Sequence, residues 1–421
     1  MNKKTLKNGL RIITVPMTNT RVSTVFVLVK TGSKHEEKSL SGISHFLEHM
    51  FFKKTKKRPS KVKIAEDMDK VGGLYNAFTG EDYTGYYAKV DSSKFSLALD
   101  WVSDIYLNSL LPEEEVEKER SVIKEEINMY YDSPMRYCQI LFQKLLYGDQ
   151  PAGRDIAGTK ETVSSIKRED LLSYMNSQYK AKNTVVVVAG NVKKAQAERE
   201  VVEAFSGIRE GDPIESLPVE EEQKRPEVMN YYKETDQTHL CFGARGFNSF
   251  SEKRFTQDVL AALLGGMMSS RLFIKVREEL GLAYYIKTEA EDNPDTGVIL
   301  TRAGVDNKKA KDAVVAIRGE YERMRREKVS SKELEKAKEH LKGKMAIVLE
   351  PSDALSYFYG TSELLEGRTY SLEEVFSFID KVSPKDIKEV SETVFRPENL
   401  NLALVGPHKT KKPFERILEQ K

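Results

Sequence analysis

Cysteine is scarce: two in 421 residues, Cys138 and Cys241, more than a hundred positions apart. That is too few for a disulfide framework, and both read as free thiols of a reducing compartment. No apolar run approaches the length that crosses a bilayer, so no membrane partner is expected. The opening segment, Met1 to Leu10, carries lysines but no apolar stretch behind them, so it does not read as a secretion signal. The expected location is the cytoplasm. An excess of either charge is missing as well, with 67 Lys+Arg against 65 Asp+Glu. This argues against a nucleic-acid partner. The basic runs Lys53–Arg58 and Arg323–Lys328 adjoin helix ends and read as solvated surface. Histidine is sparse too, at six residues, so any clustering of it carries information.

What is present is an apolar fraction of 39%, enough to bury substantial cores, in a chain too long for one of them. The chain also repeats itself. Asp170 and Asp386, Asn183 and Asn399, and Gly190 and Gly406 sit in matching contexts, each pair 216 residues apart. Val90–Lys94 matches Val305–Lys309 at an offset of 215. Duplication into two similar halves follows. Their expected extents are 1–210 and 227–421, joined by a connector at 211–226 rich in proline, glycine and acid. Strand-like runs at 10–15, 23–30, 83–90 and 184–188 alternate with helical periodicity at 95–107, 112–131 and 168–177. The fold class is α+β, each half a mostly antiparallel sheet with helices packed on it.

Two of the six histidines fall together, in Ser44-His45-Phe46-Leu47-Glu48-His49-Met50. The spacing predicts a helix over about 41–53. At about 100° per residue, His45, Glu48 and His49 converge on one face, with Ile43, Phe46, Leu47 and Met50 opposite. Imidazoles at i and i+4 can reach one metal ion, but a catalytic ion needs a third protein ligand. A second predicted helix, 112–127, offers many carboxylates. Glu119 and Glu126 interrupt its apolar stripe of Val116, Ile123 and Tyr130, whereas Glu117 and Glu125 lie on the solvated side. A carboxylate on a buried face requires a cation or donors. Structural salt bridges satisfy that requirement, and so does a metal: Glu126 as ligand with Glu119 supporting it.

These residues resemble the inverzincin metallopeptidases of the pitrilysin type, near the mitochondrial processing peptidase and its bacterial half-length relatives. The resemblance rests on His45-Phe46-Leu47-Glu48-His49, followed 77 residues after His49 by Glu126. Gly72–Thr79 is similar to the family's substrate-binding edge strand, and 270–284 to its Arg/Tyr signature. The resemblance implies that His45, His49 and Glu126 bind zinc and that Glu48 is the general base for attack of water on a peptide carbonyl. It also implies Arg277 and Tyr284 as donors to the oxyanion, and Asn76, Ala77 and Phe78 beside the scissile bond of an extended peptide. Gly281 reads as a helix C-cap, so Arg277 ends a helix and Tyr284 starts a strand. A homodimer is expected, with Arg277 and Tyr284 of one copy completing the other's site; a heterodimer is the alternative assembly. The expected activity is endopeptidase action on short unstructured peptides. The alternatives are a peptide-binding chamber and a structural core subunit of the same fold.

Overall fold

The computed structural model describes residues 1–420 as two compact units. Unit 1 comprises residues 1–127, 154–217 and 347–370, and unit 2 comprises 128–153, 218–346 and the described residues from 371 onward.

Unit 1 is built on a six-stranded sheet of β1 (Asn2–Thr5), β2 (Arg11–Pro16), β3 (Val22–Val29), β4 (Leu74–Thr79), β5 (Thr84–Asp91) and β6 (Thr184–Gly190). The spatial order is β1-β2-β6-β3-β5-β4, and only β2 and β6 run parallel. The run of valines from Val185 to Val188 forms β6, wholly buried, because helices cover both faces of the sheet at this central position. Along the chain come α1 (Ile43–Phe51), α2 (Phe95–Asn108), α3 (Glu113–Asp132), α4 (Pro134–Tyr147), α5 (Arg168–Gln178), α6 (Ala310–Arg326), α7 (Ser352–Glu366) and α8 (Pro384–Val394).

Unit 2 repeats the plan. Strands β7 (Glu227–Tyr232), β8 (Gln237–Arg245), β9 (Ala283–Asp292), β10 (Gly297–Asp306) and β11 (Asn401–Gly406) are ordered β7-β11-β8-β10-β9. Each has a counterpart in unit 1, in the same order, and again one pair, β7 with β11, is parallel. The duplication read from sequence is therefore a duplication of topology. Its anchors have physical causes. Asp170 and Asp386 accept from the backbone N–H of Lys167 at 2.7 Å and Ser383 at 2.8 Å, opening α5 and α8. Asn183 and Asn399 tie the short turns before β6 and β11 to the preceding helices, bonding Gln178 O and Thr393 O at 3.1 Å each.

The compact units do not coincide with the sequence halves. Helix α4, encoded in the first half, packs on β8 and β11 of unit 2, where Leu141 and Phe142 join Cys138, Cys241 and Ala403 in one apolar cluster. Helix α7, its counterpart at the repeat offset, packs on β3 and β6 of unit 1, placing Leu364 against Leu28 and Val187. Gly360 permits that close approach, since a Cβ there would stand 2.4 Å from Leu28 Cδ1. Sequence similarity reports duplication, whereas packing decides which sheet a helix covers. Residues 211–226 carry no helix or strand.

The basic runs are not alike. Arg323 and Arg326 are exposed helix residues paired with glutamates, as read. The reading of Lys53–Arg58 as solvated surface is corrected. Arg58 is buried and binds Asp67, Asp104 and Asp100 at 3.0, 2.7 and 2.8 Å. Three carboxylates offset the desolvation of its guanidinium.

Candidate metal centre

Helix α1 buries Ile43, Phe46, Leu47 and Met50 completely and turns His45, Glu48 and His49 to the other side. Its start is fixed by two devices. Gly42 adopts φ +97°, and a Cβ there would meet Ala157 O at 2.7 Å. No side chain of Gly42 can cap the helix, so Glu36 does so from six residues upstream. Its carboxylate accepts from the N–H of Gly42 at 2.7 Å and of Ser44 at 2.8 Å. Burial pushes the Glu36 carboxyl up to about 8, against those two bonds and the nearby Arg154.

The Nε2 atoms of His45 and His49 stand 3.2 Å apart, and Glu126 Oε2 lies 3.7 Å from the first and 3.5 Å from the second. Two donors on a tetrahedral zinc at about 2.0–2.1 Å are themselves about 3.3 Å apart. The triangle therefore has the spacing that three protein ligands to one such ion would need. The chemistry of the donors agrees. Burial, with the neighbouring His49, holds His45 down to about 4, so its imidazole is neutral and able to ligate. Its Nδ1 is buried without a hydrogen-bond partner.

Around the triangle the supports are distinct. Glu119 Oε1 lies 2.8 Å from His49 Nδ1, and Lys53 Nζ lies 2.5 Å from Glu119 Oε2. An ionised carboxylate only accepts, so the His49 proton sits on Nδ1 and the Nε2 lone pair faces the other donors. Burial opposes the charge on Glu119, but the bonds from His49 and Lys53 prevail and hold its carboxyl below the usual range. Glu119 and Glu126 come from the buried side of α3, where Glu119 is 7% exposed, as the periodicity indicates.

Glu48 is not part of the triangle. Burial pushes its carboxyl up, with Glu126 acting in the same direction and the bond from Thr79 opposing. Thr79 Oγ1 donates to Glu48 Oε2 at 2.6 Å. Thr79 ends β4, which lies at the edge of the unit 1 sheet. Alternation along β4 separates the three residues expected beside a peptide. Ala77 is buried and shares the face of Thr79. Asn76 is exposed, its Oδ1 accepting from Ala77 N at 2.9 Å. Phe78 turns to the other face, against Phe26, Tyr83 and Tyr357.

Arg277 and Tyr284 belong to unit 2. Arg277 lies in a wide helical turn, Phe273–Glu279, its guanidinium 4.7 Å from the centre of the Phe273 ring. Gly281 follows at φ +55°, and Tyr284 sits on β9, 61% exposed. The helix–glycine–strand order matches the expectation.

Three supporting residues escaped the sequence reading. Lys53 stands at i+4 from His49, a helical spacing that signals a shared side. Thr79 was marked by the period of two from Ala77. Glu36 had no signal, because its distance from Gly42 matches no local capping pattern.

Comparison with known proteins places these features in a family. Residues 11–160, which contain the metal triangle, match the family model Insulinase (Peptidase family M16), and residues 165–341 match Peptidase M16 inactive domain. An uncharacterized zinc protease of Bacillus subtilis is 35% identical over 407 residues, covering 97% of this chain and 98% of its own. Among solved structures, a protease from Helicobacter pylori superposes with a TM-score of 0.91 at 24% identity, covering 96% of this chain and 99% of its own. A peptidase M16 inactive domain from Pseudomonas fluorescens gives 0.89 at 15% identity, covering 97% and 98%. With this similarity across both halves, and a His-His-Glu triangle in the first, the chain belongs to peptidase family M16.

Proposed function

We propose that this chain is a zinc endopeptidase acting on short, unstructured peptides. The observation that carries the reading is the donor triangle of His45, His49 and Glu126, next to a separate carboxylate, Glu48, that is bonded to a sheet-edge strand. When bound, the ion supplies Lewis-acid activation of water and of the peptide carbonyl. The chain's own residues do the rest. His45, His49 and Glu126 hold the ion, and Glu119 orients His49. Glu48 takes the water's proton and returns it to the leaving amine. The edge of β4 accepts an extended peptide through main-chain bonds, which favours unfolded substrates over folded proteins. In a homodimer, Arg277 and Tyr284 of one copy serve the oxyanion formed on its partner.

The second reading, a non-catalytic peptide-binding or structural subunit, is favoured by the similarity to domains described as inactive. That family model matches residues 165–341, outside the metal triangle. Glu48→Gln separates the two readings. Zinc content near one per chain, with cleavage of a quenched fluorescent peptide abolished and peptide binding retained, is the expected outcome. Zinc-loaded wild-type protein that binds peptides without cutting them refutes the peptidase. Mixing inactive Glu48→Gln with Tyr284→Phe tests the dimer: recovery of activity supports sharing between copies.

A further inference from the structure

The bond from Thr79 to Glu48 joins the base to the strand on which a peptide would dock, and the parts on either side of it are anchored together. Thr79 is the last residue of β4, opposite Thr84, and the chain reverses at once through Gly80, whose N–H donates to Tyr83 O at 2.8 Å. That reversal is pinned to the segment preceding α1. Ser33 N donates to Gly80 O at 3.2 Å and Lys34 N to Glu81 O at 3.0 Å, and Lys34 pairs with Asp82 at 3.0 Å with both side chains buried. Gly32 allows the approach, because a Cβ there would stand 2.2 Å from Gly80 O. The same segment continues to Glu36, which caps α1. Thr79 and Glu48 are thus held from one short stretch, residues 32–36, and neither end of their bond can drift without breaking several others.

We infer that Thr79 is a positioning residue for the general base: its hydroxyl pins Oε2 of Glu48 and leaves Oε1 as the oxygen that receives the proton. The inference rests on the peptidase reading above. A glutamate side chain has three rotatable bonds and, unpinned, spends much of its time away from the productive rotamer. A hydroxyl donating to a carboxylate is a charge-assisted bond that selects one of those rotamers before substrate arrives. The hydroxyl donates to Glu48, which is not one of the three donors of the triangle, so its loss is expected to act on the chemical step and not on ion or peptide binding.

The test is Thr79→Val, which keeps shape and strand preference, beside Thr79→Ser, which keeps the hydroxyl. For Thr79→Val, kcat for a quenched fluorescent peptide is expected to fall about 10- to 100-fold, with KM within about twofold. Zinc content stays unchanged. Thr79→Ser restores kcat to within about threefold of wild type. A kcat of Thr79→Val within about twofold of wild type overturns the inference, as does a defect confined to KM or one that serine fails to relieve. Should the valine variant not fold, Thr79→Ala takes its place with the same expectations. Crystal structures of wild type and variant give a readout that does not need turnover. Displacement of the Glu48 carboxylate in the variant supports the inference, and an unmoved carboxylate overturns it. If zinc-loaded wild type cleaves nothing, the peptidase reading fails, and the crystal structures still decide the role of Thr79.

Discussion

Replacing Glu119 by alanine removes the acceptor that fixes the tautomer of His49 and strands the Lys53 ammonium. The bond to His49 is 2.8 Å and that to Lys53 is 2.5 Å, and the glutamate side chain is only 9% exposed. A charge-assisted bond in such surroundings contributes about 1.5–3 kcal/mol. Loss of an outer partner of a metal-binding histidine typically lowers metal affinity by about 10- to 100-fold, which is about 1.4–2.7 kcal/mol. The two routes agree, so Glu119→Ala should weaken zinc binding by one to two decades. Glu119→Gln keeps a carbonyl acceptor for His49 and should lose less. Lys53→Met should also lose less, since the His49 bond survives. Because the three residues form one chain, the losses in Glu119→Ala and Lys53→Met should not add in the double variant. The assay is competition between the purified protein and a chromophoric chelator at fixed pH. A Glu119→Ala dissociation constant within about twofold of wild type refutes the role given to this carboxylate.

Other consequences are equally direct. Gly42→Ala places a Cβ 2.7 Å from Ala157 O at a left-handed φ and should cost about 1–3 kcal/mol of stability, seen as a lowered melting temperature. Glu36 gives a pH signature. Its folded pKa is raised to about 8, so folding binds its proton, and the stability it contributes is present at low pH and lost as pH rises towards 8. Relative to Glu36→Gln, wild type should lose about 1.4 kcal/mol per pH unit across that window; parallel stability curves from pH 5 to 8 refute the shift. Chelation should lower the melting temperature, since an ion present at about a thousand times its dissociation constant stabilises the folded state by about 4 kcal/mol. Calorimetry with and without EDTA reads the difference.

The sequence was informative wherever local periodicity and packing agree. The face of α1 that carries His45, Glu48 and His49 follows from the apolar positions opposite, because a helix bounded by a buried stripe has one orientation left. The same reasoning separated Glu119 and Glu126 from Glu117 and Glu125 on α3, with Glu119 buried as expected. It was silent where contacts are long-range. Arg58 sits in a basic run that looks solvated, and only the fold brings Asp67, Asp100 and Asp104 to it. Glu36 caps a helix from outside any local motif. The exchange of α4 and α7 left no trace in composition, since both are amphipathic helices at equivalent places in a repeat and either sheet accepts such a face.

That exchange has a practical result for anyone dividing the gene. A fragment ending in the connector keeps His45, His49 and Glu126 yet lacks α7, baring the side of its sheet that includes Leu28 and Val187. The same fragment carries α4 with nothing beneath Leu141 and Phe142. Each fragment should therefore aggregate when produced alone and become soluble only when its complement is made alongside it, so that an ancestral doubling has become an obligate partnership within one polypeptide.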